Sequence, residues 1–158
     1  VPHPLTFLTN TLRSPAQLYR SRYMALFQLP FVPLRRMDRE GVKRLRAQWS
    51  PGFVPPAEYL DVVMSGLGDR AGPLAYYRAM FRPFGDFARR VRATAPSSVP
   101  MLYVHGRADG CIATEVARGQ ARYYPAGFRQ VLLDDVGHFI PLEAPDALHH
   151  HLLAWLNA

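Results

Sequence analysis

Two residues with acid–base chemistry follow two apolar segments in the last third of the chain. Asp109 comes shortly after the apolar run 101–104, and His138 comes shortly after the run 130–133. If both runs are neighbouring parallel strands, the side chains that follow them gather at one edge of the sheet. A carboxylate there can hold one imidazole nitrogen and leave the other free as a general base. The residues alone leave open the alternative that Asp109 and His138 are loop residues that never meet.

The elements that would position these two residues begin at residue 99. The runs 101–104 and 130–133 are predicted to be strands buried on both faces. Residues 114–123 and 145–156 are predicted to be helices, the second with buried leucine faces. Strands that alternate with helices predict parallel pairing. Because two strands are too few for a stable sheet, we expect the edge of a larger α/β sheet.

Residues 13–98 show a different pattern, typical of short helices separated by Pro and Gly. Ser14 before Pro15, with Gln17 at the third helical position, is a capping-box pattern that predicts a helix ended by Pro30. Three more helices are predicted over residues 38–49, 56–67 and 73–81, the last ended by Pro83.

The last third resembles the α/β-hydrolase family in two motifs. Residues 102–109 (LYVHGRAD) resemble the segment in which a strand leads through G-x-x-D to the acid of the catalytic triad. Residues 136–145 (VGHFIPLEAP) resemble the catalytic-histidine segment G-H-x-x-x-x-E-x-P, and the order of acid before histidine also fits. The resemblance implies that Asp109 is the triad acid and that His138 is the catalytic histidine.

The helical part resembles the cap domain of the epoxide hydrolase branch. Residues 23–30 (YMALFQLP) are similar to the motif Y-x-x-x-F-Q-x-P, and residues 76–80 (YYRAM) resemble W-Y-R-x-M. The resemblance implies that Tyr23 and Tyr77 donate hydrogen bonds to an epoxide oxygen. Tyr76 stands where the family has Trp, which leaves Tyr76 as an alternative to Tyr77. For any one of these tyrosines, the alternative is ordinary packing on a cap helix.

The resemblance also predicts the fold class and the domain organisation. We expect the C-terminal part of an α/β-hydrolase fold: residues 1–12 as the end of a core strand and lead into the cap, 13–98 as a helical cap domain, and 99–158 as the last part of the core. The chain contains no G-x-S-x-G, H-D-x-G or H-G-x-P segment. We therefore expect the nucleophile, Asp or Ser, to lie in an N-terminal half of the fold outside this chain. That N-terminal half would be the partner of this chain.

The function implied by the resemblance is hydrolysis of an epoxide to a diol through an alkyl-enzyme ester. Four apolar cap residues favour a small apolar substrate: Met24, Phe27, Met80 and Phe81. The alternatives are a haloalkane dehalogenase, an esterase on the same scaffold, or a non-catalytic truncated chain. A dehalogenase needs indole or amide donors for the halide, and Trp49 and Trp155 lie in segments that do not match such a site. We expect the 158-residue chain alone to be inactive.

Composition excludes several other functions. The net charge of +7 is unevenly placed: residues 1–92 contain fifteen Arg or Lys against six Asp or Glu, whereas residues 93–158 contain four against six. Because eighteen of the nineteen basic residues are Arg and no helix-turn-helix or zinc pattern accompanies them, we do not expect nucleic-acid binding. No apolar run approaches the ~20 residues of a membrane span. A single cysteine, Cys111, excludes an internal disulfide and favours a cytoplasmic location.

The three consecutive histidines 149–151 are the most evident metal-binding candidates. On a helix, neighbouring side chains point ~100° apart, so three in a row cannot converge on one ion. No phosphate-binding loop or other cofactor pattern is present in the sequence. We therefore expect neither a metal nor a cofactor.

Overall fold

A computed structural model describes residues 2–29, 38–67, 71–81, 86, 89 and 95–158. Within these ranges, five helices precede two strands and two helices follow them: α1 (Pro4–Arg13), α2 (Pro15–Leu26), α3 (Arg39–Trp49), α4 (Ala57–Gly66), α5 (Ala71–Phe81), β1 (Met101–Gly106), β2 (Phe128–Leu133), α6 (Ile140–Glu143) and α7 (Pro145–Leu156). None of the helices in the described part has the length and apolar character required to cross a membrane.

The helices predicted before residue 82 are confirmed, with small shifts in their ends. The Ser14 hydroxyl accepts a hydrogen bond from the Gln17 N–H at 3.2 Å and caps α2. Asp38 caps α3 in the same way, through the Gly41 N–H at 2.7 Å. Helix α5 begins at Ala71, two residues earlier than predicted. Pro30 and Pro83, the predicted helix ends, lie outside the described residues.

Strands β1 and β2 form a parallel pair, as predicted. Met101 lies opposite Phe128 and Gly106 lies opposite Leu133, so the carboxyl ends of both strands reach the same edge. The helix predicted over residues 114–123 is wrong. Two 3-10 turns, Thr114–Ala117 and Gln120–Tyr123, take its place. They are separated at Gly119, whose φ of 81° is left-handed and breaks the run of helical residues.

The predicted burial of the strands and of α7 is only partly correct. Tyr103, His105 and Gly106 are buried on β1, but the residues of β2 are half-buried or exposed. Leu152, Leu153 and Leu156 on α7 are 40%, 46% and 75% exposed. The reason is geometric, because a two-stranded sheet has too little area to cover both the strands and a long apolar helix.

Residues 4–12 are helical, so the expected end of a core strand in residues 1–12 is wrong. Pro4 occupies the first turn of α1, where its fixed φ suits a helix and its missing N–H is not needed. Thr6 and Thr11 are buried, so the face of α1 that carries them packs against the rest of the protein. The Asn10 amide donates to the carbonyls of Val116 and Arg118, both at 3.0 Å, which fixes α1 to the turns after β1.

Candidate active site

Asp109 and His138 follow the carboxyl ends of β1 and β2, and their side chains are in contact. The Nδ1 atom of His138 lies 2.9 Å from Oδ2 of Asp109. The two loops are also joined through their backbones, since the Ala108 N–H donates to the Val136 carbonyl at 2.9 Å. The structure therefore brings together the two residues that the sequence placed after neighbouring strands.

The Asp109 carboxylate is buried and accepts hydrogen bonds on both oxygens. Oδ1 accepts the backbone N–H groups of Cys111 at 2.7 Å and Ile112 at 2.8 Å. Oδ2 lies 3.2 Å from His105 Nε2, in addition to its contact with His138. Burial raises the pKa of Asp109, but the hydrogen bonds from His105, His138 and Ile112 outweigh it and hold the pKa below its usual range. An ionised Asp109 keeps the proton of His138 on Nδ1 and leaves Nε2 free to accept one.

The loop that carries His138 is held by Glu143 and Ser50. Glu143 Oε2 accepts the Gly137 N–H at 2.6 Å, and Oε1 accepts the Phe139 N–H at 2.8 Å. The Ser50 hydroxyl donates to Glu143 Oε1 at 2.6 Å and accepts the His138 N–H at 2.9 Å. Ser50 thus holds the histidine backbone. In the sequence, Ser50 is only the residue that follows the helix predicted over residues 38–49. Its hydrogen-bond partners lie about ninety residues away, so no local pattern indicates its role.

The end of α3 packs tightly against the loops of Asp109 and His138. The Gly110 N–H donates to the Trp49 carbonyl at 3.0 Å. A Cβ atom on Gly110 would overlap the Gln48 carbonyl oxygen, and one on Gly137 would lie 2.6 Å from Ser50 Oγ. Glycine is required at both positions because the backbone of α3 approaches so closely.

Helix α2 is bonded to the Asp109 loop along one face. Gln17 is completely buried; its amide donates to the Cys111 carbonyl at 3.0 Å, and its Oε1 accepts the Ala113 N–H at 2.8 Å. Arg20 Nη1 donates to the Asp109 carbonyl at 2.8 Å. One turn further along α2, the Tyr23 hydroxyl lies 3.4 Å from Cys111 Sγ. Gln17 was expected only as a capping residue, and its side chain instead joins α2 to the acid loop.

Tyr23 and Tyr77 face each other beside this loop. Their ring centroids are 5.9 Å apart with an interplanar angle of 84°. Burial, followed by the neighbouring Cys111, raises the pKa of Tyr23. Burial also raises the pKa of Tyr77, against the opposing hydrogen bond of Tyr23. Both phenols therefore stay protonated, as hydrogen-bond donors must. Tyr76, the alternative to Tyr77, is 70% exposed, and its ring contacts that of Tyr77 with centroids 5.8 Å apart.

Comparisons with known proteins find several epoxide hydrolases among the similar chains. Mouse epoxide hydrolase 3 is 28% identical over 149 residues, which cover 89% of this chain and 39% of that protein. Mouse epoxide hydrolase 4 is 28% identical over 167 residues, which cover 99% of this chain and 45% of that protein. The crystal structure of an inhibitor-bound epoxide hydrolase from Bacillus megaterium superposes with a TM-score of 0.78 at 22% identity, over 99% of this chain and 58% of that one. No protein-family model matches the chain.

These matches support an α/β-hydrolase family for the chain, in its epoxide hydrolase-like branch. The predicted fold class is confirmed, since a helical segment followed by a small parallel sheet is consistent with the C-terminal part of that fold. The chain spans about two fifths of the length of these curated relatives.

Trp49 is a residue of this chain that sequence reasoning placed outside the site. Its ring lies 5.3 Å from the ring of Tyr23 and 5.1 Å from that of His138, measured between centroids. Its Nε1 atom is buried and has no hydrogen-bond partner among the described residues. The segment around Trp49 matches no motif, so only the packing of α3 against the loops shows its position.

A cavity of about 460 Å³ opens beside Tyr23. It lies between α2 and α3, and its lining includes Leu26, Phe27 and Leu45, with Arg44 and Gln48 as polar members. Phe27 thus lines this cavity, whereas Met24 is not among the described residues that line it. The side chains of Met80 and Phe81 lie outside the described residues.

Asp109, Cys111 and His138 also present three potential metal ligands within 4.8 Å of one another. The donor set does not suit a metal, however. Both oxygens of Asp109 already accept hydrogen bonds from protein donors. Burial raises the pKa of the Cys111 thiol to about 11, so the thiolate that binds metals is scarce at neutral pH. The cluster fits a hydrogen-bonded acid–histidine pair better than a metal centre.

Proposed function

We propose that this chain supplies two cap tyrosines and the acid–histidine pair of an epoxide hydrolase that forms a diol through an alkyl-enzyme ester. The observation that carries the proposal is the shared site. Tyr23 contacts both Cys111, next to the Asp109 loop, and Trp49, whose ring lies against His138. Phenol donors and a general base therefore line one region.

In the first step, a carboxylate from the N-terminal half attacks an epoxide carbon. A carbon–oxygen ester bond forms while the ring carbon–oxygen bond breaks, and the ring oxygen leaves as an alkoxide. An alkoxide is a very poor leaving group without a donor, and two protonated phenols in a buried site stabilise it where the charge develops. Tyr23 and Tyr77 have this role, and one phenol proton passes to the alkoxide.

In the second step, His138 Nε2 takes a proton from water, and the resulting hydroxide attacks the ester carbonyl. The carboxylate is released and the diol leaves. Asp109 stabilises the imidazolium that forms, through its 2.9 Å contact with His138 Nδ1. The proton on His138 then returns, through solvent, to the phenol that lost one.

The organisation of the complete hydrolase is part of the proposal. Residues 13–98 form the cap over the site, residues 99–158 form the last part of the core, and an N-terminal half supplies the nucleophile. The substrate is a small apolar epoxide, because apolar side chains such as Leu26 and Phe27 line the cavity beside Tyr23. We place the protein in the cytoplasm, where a single free and buried cysteine stays reduced. The chain alone lacks a nucleophile and is inactive.

The test begins with the intact mass of the protein purified from its source, followed by diol formation from styrene oxide. A mass near 17.9 kDa identifies the chain as the mature protein, and the nucleophile must then come from a separate partner. In the active protein or complex, we expect Tyr23→Phe with Tyr77→Phe to reduce turnover by at least ~100-fold. Tyr76→Phe is the matched control, because Tyr76 is exposed. Unchanged turnover in the double variant would refute the role of the tyrosines.

The ester step has its own readout. In a single turnover in H₂¹⁸O, the first diol should carry an unlabelled oxygen taken from the carboxylate. His138→Gln should trap the ester, so that the protein gains the mass of one epoxide. Labelled oxygen in the first diol, with no trapped adduct, would instead indicate direct attack by water.

A second candidate, a haloalkane dehalogenase, is favoured by one observation. The buried indole N–H of Trp49 has no partner among the described residues and belongs to a ring that contacts His138. Such a donor can solvate a departing halide. Bromide quenching of Trp49 fluorescence and turnover of 1-chlorobutane would support this candidate. An esterase remains the third, and a panel of an epoxide, a haloalkane and a p-nitrophenyl ester separates all three.

A further inference from the structure

Asp109 contacts a second histidine that none of the proposed steps uses. Oδ2 of Asp109 lies 2.9 Å from His138 Nδ1 and 3.2 Å from His105 Nε2. One carboxylate oxygen is thus placed between two imidazole rings. His105 is 4% exposed and Asp109 is 6% exposed, so water competes little for this contact.

The partners of His105 determine which of its nitrogens holds the proton. Nε2 lies 3.0 Å from the Ile112 carbonyl oxygen, which can only accept, so Nε2 is the donor. Nδ1 lies 2.6 Å from the hydroxyl of Tyr103 and can accept its proton. The Nε2–H of His105 therefore donates to Ile112 O, and Asp109 Oδ2 lies 3.2 Å from the same nitrogen.

Strand geometry explains why Tyr103 and His105 act together. Residues two apart on a strand point to the same face, so both rings of β1 face the acid loop. Tyr103 is 7% exposed, and its ring lies edge-on to His105 with centroids 5.5 Å apart. In the sequence, His105 is one residue of the motif 102–109. Nothing in the motif indicates that Tyr103 contacts His105 or that His105 contacts Asp109.

We propose that His105 is a positioning residue that fixes Oδ2 of Asp109 toward His138, and that Tyr103 orients His105 for this task. Without His105, Oδ1 would still be held by the backbone N–H groups of Cys111 and Ile112. Among the described residues, Oδ2 would keep only its contact with His138, and the carboxylate could turn away from it. The inference rests on the proposed function only in giving His138 the role of base.

The experiment is ¹⁵N NMR of the histidine rings in the labelled 158-residue chain. In the wild type we expect His138 protonated on Nδ1 and His105 protonated on Nε2. His105→Leu should mix the tautomers of His138 and speed solvent exchange of its Nδ1 proton by about tenfold, the loss expected for one charge-assisted hydrogen bond. His105→Gln, which retains a donor near the Nε2 position, should restore slow exchange. His149→Leu, on an exposed residue of α7, is the matched control.

Tyr103→Phe provides a second test if His105→Leu does not fold. It keeps the aromatic ring and removes only the hydroxyl, so we expect His105 to lose its single tautomer and the His138 proton to exchange faster. Unchanged His138 spectra in the folded His105 or Tyr103 variants would overturn the inference and leave the proposed function intact. A wild-type His138 without a proton on Nδ1 would contradict the acid–histidine pair itself.

Discussion

Removing the hydroxyl of Ser50 should destabilise the protein and loosen the His138 loop. Ser50 is 2% exposed, donates to the Glu143 carboxylate at 2.6 Å and accepts the His138 N–H at 2.9 Å. In Ser50→Ala, the carboxylate loses one of its three donors and the His138 N–H loses its acceptor. A hydrogen bond to a charged group contributes about 1.5–3 kcal/mol, and an orphaned buried donor costs about 1–3 kcal/mol. Allowing for partial relaxation, we expect the free energy of unfolding to fall by about 2–4 kcal/mol.

The assay is urea denaturation of the 158-residue chain, followed by circular dichroism. With a slope of about 2 kcal/mol per molar urea, the midpoint should fall by about 1–2 M. Ser65→Ala is the matched control. Ser65 is exposed on α4, and its hydroxyl donates only to the Val62 carbonyl of its own helix. This control should change the free energy of unfolding by less than about 0.5 kcal/mol. If both variants unfold at the wild-type midpoint, the Ser50 network does not stabilise the fold and the reasoning fails.

Three further predictions concern the acid loop. The folded-state pKa of Asp109 is lowered, so its contribution to stability is present above the unfolded pKa of about 4 and is lost as the pH falls below it. In Asp109→Asn, the free energy of unfolding should therefore fall less steeply at acid pH than it does in the wild type. An equally steep fall in both proteins would contradict this prediction. Cys111 is 4% exposed with its pKa raised to about 11, so iodoacetamide at pH 8 should modify it only after unfolding in urea; rapid labelling of the native protein would show that the thiol is accessible. Gly110→Ala should cost about 1–3 kcal/mol of unfolding free energy because its Cβ meets the Gln48 carbonyl, whereas Gly52→Ala meets nothing within 4 Å. Equal midpoints for the two glycine variants would argue against the close approach of α3.

The sequence predicted the parts of the site that depend on local pattern. Asp109 and His138 each follow an apolar run that forms a strand. Parallel pairing of the two strands is enough to bring the residues after them to one edge of the sheet. The capping residue Ser14 was equally predictable, because a cap needs only its own helix. Tyr77 and Tyr76 could not be separated without knowing which ring is turned inward.

The residues that hold the site together could not be predicted in the same way. Ser50 contacts residues about ninety positions away, and so does Gln17. His105 is a near neighbour of Asp109 in sequence, but its effect depends on the fold of the loop 107–112 back over the strand end. Contacts of this kind leave no periodic pattern and no compositional bias in the sequence. Only the folded structure shows them.

The same contacts explain how Tyr23 keeps a fixed position relative to Asp109. Helix α2 carries Tyr23 and is tied to the acid loop by Gln17 and Arg20. Arg78, next to Tyr77 on α5, donates to the Phe27 carbonyl at 3.1 Å and to the Leu29 carbonyl at 2.8 Å, just beyond the end of α2. The two phenols are therefore linked through the backbone after α2 rather than through their hydroxyls alone. Since α2 is itself bonded to the loop of Asp109, a displacement of Tyr23 would have to break buried hydrogen bonds, which is why both steps of the proposed reaction can share one rigid site.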